Sequence, residues 1–163
     1  MLFFRWPLLA ALASAALLAA VHVIQAQGYA PCELCLKQRE VYWAAVAIGL
    51  AGYGLQRLRP GPRVRMAVAA VLALTFLIGA SVAAYHAGVE QKWWPGPTSC
   101  TGGGSVSANA MAGLLAGERI IPPQCDQIVW SVLGLSMAAW NVLVSLGLVM
   151  LSALADLSAR RES

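Results

Sequence analysis

Four segments of this 163-residue chain contain no Asp, Glu, Lys or Arg: residues 6–32, 41–56, 66–89 and 127–155. A helix needs about 20 mostly apolar residues to cross the hydrocarbon of a bilayer, and the first, third and fourth segments are long enough. The second reaches that length only when residues 36–40, or Arg57 and Leu58, lie at the interfaces, where long basic side chains extend to the headgroups. Composition agrees, since 60% of the chain is hydrophobic and 11% charged, about half the charged share of an ordinary soluble domain. The positive charges behind the net +4 are too scattered to track a phosphate backbone, which excludes a nucleic-acid partner. The expectation is an all-α membrane protein, a single domain of four transmembrane helices at about 6–26, 36–57, 65–88 and 128–155.

Arg5 followed by an apolar run also has the form of a secretory signal peptide, with cleavage near Ala26. The run over residues 7–24 exceeds the roughly 7–15 residues usual for such a segment, which favours a retained helix. An even number of helices puts both termini on one side. The loop 57–65 carries Arg57, Arg59, Arg63 and Arg65, so the positive-inside rule makes it cytoplasmic, and Arg5, Arg160 and Arg161 agree. Loops 27–35 and 89–127 then face the other side of the membrane. In the longer one, Trp93 and Trp94 suit the membrane interface. Residues 107–119 suit a short surface helix capped by Ser107, with Met111, Leu114 and Leu115 on one face. Ala and Gly recur through 44–54 and 67–84, as expected where helices approach closely.

All four cysteines, Cys32, Cys35, Cys100 and Cys125, fall on the non-cytoplasmic side of this topology, in a compartment that permits disulfides. Two structural disulfides are one reading. A zinc site is a weaker one, because a single C-x-x-C with two distant cysteines lacks the usual ligand spacing, and no metal is expected. Haem attachment is disfavoured, because Leu36 and not a histidine follows Cys35. A disulfide across three residues constrains little of the unfolded chain and so contributes little stability; reversible redox chemistry is the better use. Pro31 precedes the pair and helical sequence follows, so Cys32 and Cys35 stand at a helix N-terminus, where backbone N–H groups favour a thiolate. Cys35, Arg39 and Tyr42 share a helix face by spacing. Arg39 there either stabilises charge on Cys35 or on a bound acceptor's oxygen, or reaches lipid headgroups. Glu33 acts against thiolate formation. A disulfide between Cys100 and Cys125 rides on a loop with Gly102–Gly104 and Pro122-Pro123, open to attack by a partner's thiolate.

The sequence Pro31-Cys32-Glu33-Leu34-Cys35 with Arg39, the single Cys100, Cys125, Trp130, the run from Leu133 to Met137, and Trp140-Asn141 together resemble the DsbB family of membrane disulfide oxidases. The resemblance covers nearly the whole chain in order. It implies a four-helix bundle that passes electrons from a periplasmic thioredoxin-like dithiol protein, DsbA-like, to a quinone, ubiquinone or menaquinone, in a bacterial inner membrane. By the same resemblance Cys100 forms the mixed disulfide with the partner, Cys125 resolves it and exchanges with Cys32, and Cys35 faces the quinone beside Arg39 and Tyr42. His86, near the outer end of the third helix, either bonds a quinone oxygen or extends its ring to the headgroups; His22 receives no role. The charged Glu33 inside the C-x-x-C and the compact Gly-rich loop depart from the family pattern. A quinone reductase like vitamin K epoxide reductase and a non-enzymatic membrane scaffold with two structural disulfides are the rival readings.

Overall fold

The computed structural model describes residues 5–29, 31–101, 124–128 and 130–162. Its elements are α1 (Trp6–Ala26), α2 (Glu33–Leu58), α3 (Pro62–Glu90), a hairpin of β1 (Ser131–Val132) and β2 (Leu135–Ser136), and α4 (Met137–Arg160). Among the described residues it is an all-α bundle of four helices, with α3 and α4 joined through residues 91–136. Helices α1, α3 and α4 are each long and apolar enough to cross a membrane. Helix α2 has an apolar centre at 41–55 flanked by Glu33, Lys37, Arg39 and Glu40 before it and Arg57 after it. The residues expected to form a surface helix at 107–119, with the Gly102–Gly104 and Pro122-Pro123 segments, lie outside the described residues.

Each helix boundary has a local cause. Pro7 and Pro62 sit in the first turns of α1 and α3, where a missing N–H is no loss. Helix α2 begins at Glu33, earlier than position 36, because Cys32 caps it. Helix α4 begins at Met137 and not near 128. Leu133 (φ 53°) and Gly134 (φ 79°) both take the left-handed conformation, which closes a two-residue hairpin pairing Ser131 with Ser136 and Val132 with Leu135. Ser136 then caps α4, accepting the Ala139 N–H at 3.2 Å.

The helices pack in chain order, α1 on α2, α2 on α3 and α3 on α4. Small residues make this possible. A Cβ at Gly49 would lie 2.5 Å from the Pro7 carbonyl oxygen and 2.9 Å from Ala11 Cβ, so α1 and α2 approach to backbone contact there. The central core of Trp6, Ala10, Tyr42, Leu72, Phe76 and Leu148 draws on all four helices, and Trp6 donates to Ser152 at 3.1 Å. At one end of the bundle lie the short α2–α3 turn and the Arg65–Glu162 ion pair. The four cysteines collect at the other.

Candidate functional site

Pro31 leads into Cys32 in extended conformation (ψ 171°), and the Cys32 sulfur accepts the Cys35 N–H at 3.2 Å as the cap of α2. The C-x-x-C therefore straddles the helix start, with Cys32 ahead of the first turn and Cys35 inside it. Both are free thiols. Cys100 and Cys125 form a disulfide with a Cα–Cα distance of 5.4 Å, and the Cys125 N–H donates to the Cys100 carbonyl at 2.9 Å. The two pairs meet: Cys32, Cys100 and Cys125 share one buried cluster with Leu34 and Val89, and Cys35 packs against it. The Cys32 and Cys125 sulfurs and a ring nitrogen of His86 all lie within 4.8 Å of one another. That spacing also suits a metal ion, but the Cys125 sulfur is already bonded to Cys100, so the arrangement is a thiol facing a disulfide.

The loop that carries the disulfide is fastened to the bundle. Ser99 donates to Glu33 at 2.6 Å, and Lys92 pairs with Asp126. Trp94 stacks on Tyr85 with centroids 6.1 Å apart and donates to the Tyr85 carbonyl. Its indole lies over Gly88, where a Cβ would come within 2.1 Å of the ring. Cys125 is fully buried and Cys100 nearly so. The expectation of a disulfide open to attack is thus corrected: in this conformation it is turned toward Cys32, held by contacts on both flanks.

Cys32 and Cys35 precede the apolar centre of α2, and their sulfurs differ in charge preference. Cys35 is lowered to about 7, because the Cys32 thiol hydrogen-bonds to it, a backbone N–H contributes and Arg39 is near; burial and the Glu90 carboxylate oppose this. Cys32 is raised, because it is the hydrogen-bonding partner of Cys35, is buried, and faces the Cys35 charge. The first thiolate of the pair therefore forms on Cys35. Glu33 does not weigh against it; its carboxylate is turned outward to Ser99.

Cys35 opens on a cavity of about 190 Å³, compared with about 150 Å³ for an apolar cavity that takes a benzene ring. Leu17, Leu18, Val21 and Ile24 of α1 form one apolar wall, and Trp130, Met137 and Trp140 contribute to the other. Arg39, Tyr42 and His86 all line it, as do Gln38, Glu90 and Asn141. One Arg39 N–H donates to Gln25 of α1 at 2.6 Å, which holds the guanidinium over the cavity instead of extending it to headgroups. His86 is also not at the headgroups. Its side chain is buried, 3.6 Å from the Cys32 sulfur and 2.8 Å from Gln38 Nε2. His22 bonds the Leu18 carbonyl of its own helix at 2.6 Å and joins no site.

The sequence reading passed over the buried polar residues Gln38 and Glu90 and did not join Asn141 to them. Asn141 Nδ2 donates to Gln38 Oε1 at 2.5 Å, Tyr42 donates to Asn141, and Ser136 donates to Glu90. Gln38 lies three residues after Cys35 and four before Tyr42, and Glu90 four after His86, so helical spacing was the available signal.

Comparison with known proteins matches the family model described as disulfide bond formation protein DsbB over residues 4–155. A disulfide bond formation protein B of Xanthomonas euvesicatoria pv. vesicatoria is 32% identical over 98% of this chain and 96% of its own length. One of Aromatoleum aromaticum is 31% identical over 86% of this chain and 83% of its own length, and one of Dechloromonas aromatica 32% over 74% and 71%. With its bundle, its two cysteine pairs and these relatives, this multi-pass membrane chain belongs to the DsbB family.

Proposed function

We propose that this chain is a thiol:quinone oxidoreductase that reoxidises a DsbA-like periplasmic dithiol protein, with its cysteines on the periplasmic face of a bacterial inner membrane and both termini in the cytoplasm. One observation carries the reading. Cys32 touches both the loop disulfide, with its sulfur within 4.8 Å of Cys125, and Cys35, which opens on the cavity.

In the relay a thiolate of the partner attacks Cys100, and the Cys100–Cys125 bond breaks with its electron pair leaving on Cys125. Cys125 then attacks Cys32 of an oxidised Cys32–Cys35 pair, and Cys35 leaves as the thiolate its surroundings favour. The partner's second thiol displaces Cys100 and leaves the partner oxidised; Cys100 then attacks Cys125, which restores the Cys100–Cys125 disulfide and releases Cys32 with the electron pair, so that Cys32 and Cys35 end as the reduced pair. The cavity fits a quinone head: apolar walls for the ring and the Arg39 donor fork for a carbonyl oxygen. A quinone bound there supplies a two-electron, two-proton acceptor. Arg39 holds negative charge next to Cys35, and the apolar walls limit water.

The test combines purified protein, a reduced thioredoxin-like dithiol protein and a soluble quinone analogue, with quinone absorbance followed over time. Dithiol-dependent loss of quinone absorbance is expected. No turnover, together with disulfides that withstand a series of thiol redox buffers, favours the scaffold reading. With the partner supplied in its disulfide form, Cys100 of the Cys125→Ala protein attacks that disulfide, one partner sulfur bonds Cys100 and the other leaves as a thiolate, and the mixed disulfide is expected to accumulate; Cys100→Ala is expected to form none.

A further inference from the structure

Beside the four cysteines lies a buried hydrogen-bond chain that the proposed relay leaves unused. It runs in one direction. The Tyr42 hydroxyl donates to Asn141 Oδ1, Asn141 Nδ2 donates to Gln38 Oε1 at 2.5 Å, and Gln38 Nε2 donates to His86 Nδ1 at 2.8 Å. Because Gln38 presents its amide nitrogen, His86 Nδ1 is an acceptor, and a neutral imidazole then carries its proton on Nε2. A second observation agrees with this tautomer. Nε2 faces the Glu90 carboxylate at 3.8 Å as well as the Cys32 sulfur at 3.6 Å, and a lone pair there would face a carboxylate oxygen.

The geometry points to His86 as a catalytic hydrogen-bond donor to the Cys32 sulfur during exchange between the two cysteine pairs, with Gln38, Asn141 and Tyr42 as positioning residues that fix its tautomer. This rests on the relay reading. In the exchange the Cys32 proton passes to the Cys35 sulfur, and Cys32 attacks Cys125. The Cys32–Cys125 bond forms as the Cys100–Cys125 bond breaks, and the electron pair leaves on Cys100. In the reverse step the pair returns to Cys32. One disulfide is exchanged for another with no net oxidation, and His86 neither gains nor loses a proton. It stabilises the charge that Cys32 carries in both directions. The Cys32 sulfur already accepts the Cys35 N–H at 3.2 Å, while its thiol hydrogen bond to Cys35, burial and the Cys35 charge oppose a Cys32 thiolate; the His86 N–H is a side-chain donor that works against that opposition.

The test reads Cys32 alone. In the full-length Cys35→Ala protein, with the Cys100–Cys125 disulfide intact, the alkylation rate of Cys32 by iodoacetamide is followed against pH by mass spectrometry. His86→Leu is expected to move the profile to higher pH and slow alkylation at pH 8 by about tenfold or more. His86→Gln keeps a neutral N–H donor and is expected to stay close to the native profile. Gln38→Leu is expected to shift the profile upward in the His86 background and to have no further effect with His86→Gln, where no tautomer is to be fixed. A native profile for His86→Leu overturns the proposal. So does His86→Gln slowed as much as His86→Leu, because the histidine would then act by taking a proton. Equal effects of Gln38→Leu in both backgrounds overturn the positioning role. Failure of the relay reading shows separately, as inability of Cys32 and Cys125 to form a disulfide in a Cys35→Ala, Cys100→Ala protein under mild oxidation.

Discussion

A single residue, Cys35, sets the pH at which the dithiol is reactive. Its thiol is lowered to about 7 by the Cys32 hydrogen bond first and by Arg39 among the lesser causes. The thiolate is therefore present above that value and lost below it. Alkylation of Cys35 in the purified protein is expected to be half-maximal near pH 7 and to fall as the pH drops to 5; a profile centred near an ordinary thiol's value would show that Cys32 does not serve as its donor. Arg39→Ala is expected to move that midpoint upward and to slow quinone reduction at saturating dithiol partner. For a charge-assisted interaction the loss is about tenfold, less to the extent that water screens the half-exposed guanidinium. Arg39→Lys is expected to restore part of it, since the charge remains without the planar fork. Cys35, Arg39 and Tyr42 were legible in the sequence because helical spacing alone puts them on one face, and Cys32 because of the C-x-x-C motif. His86 was legible as a residue but not in its surroundings. Whether an outer-end histidine reaches lipid or turns inward depends on what the neighbouring helices offer, and here Gln38, from α2, supplies the inward partner.

At the scale of elements, the close approach of α1 and α2 rests on Gly49, and two substitutions separate packing from helix propensity. Gly49→Ala places a methyl against the Pro7 carbonyl oxygen and Ala11, where the obstacle is partly backbone, and is expected to destabilise by about 1–3 kcal/mol. Gly54→Ala on the same helix meets nothing within 4 Å and is expected to be neutral or stabilising by up to about 1 kcal/mol. Thermal unfolding in detergent micelles compares the two, and equal shifts would remove the packing argument. The four helices were readable because charge-free length is a strong signal. The start of α4 was not, since Ile128, Trp130 and Val132 continue the apolar pattern without a charge while the backbone turns at Leu133 and Gly134. The Ser136 cap was the local clue to the true boundary. For α2 the C-x-x-C after Pro31 marked the helix N-terminus, ahead of the membrane-length span at 36, and the capping Cys32 sulfur places the first helical residue at Glu33.

Across the whole molecule, the proposed topology predicts that, after mild reduction, a membrane-impermeant thiol reagent labels the cysteines in cells with a permeabilised outer membrane. Labelling only after lysis would reverse the orientation. The fold also separates what two kinds of thiol can reach. The Cys100–Cys125 disulfide is buried against Cys32, and the Ser99–Glu33 and Lys92–Asp126 contacts hold its flanks. A protein partner with an extended surface can use binding energy to lift those flanks, whereas a small thiol meets a closed disulfide. Glutathione is therefore expected to reduce this bond slowly, and Ser99→Ala combined with Asp126→Asn to speed that reduction severalfold, with smaller change in the rate with the protein partner; equal acceleration of both would argue against selective access. The fastening of this loop then acts as insulation. In the proposed relay it would let the electron acceptor drain one chosen dithiol carrier without discharging low-molecular-weight thiols, so that oxidising power is delivered and not leaked.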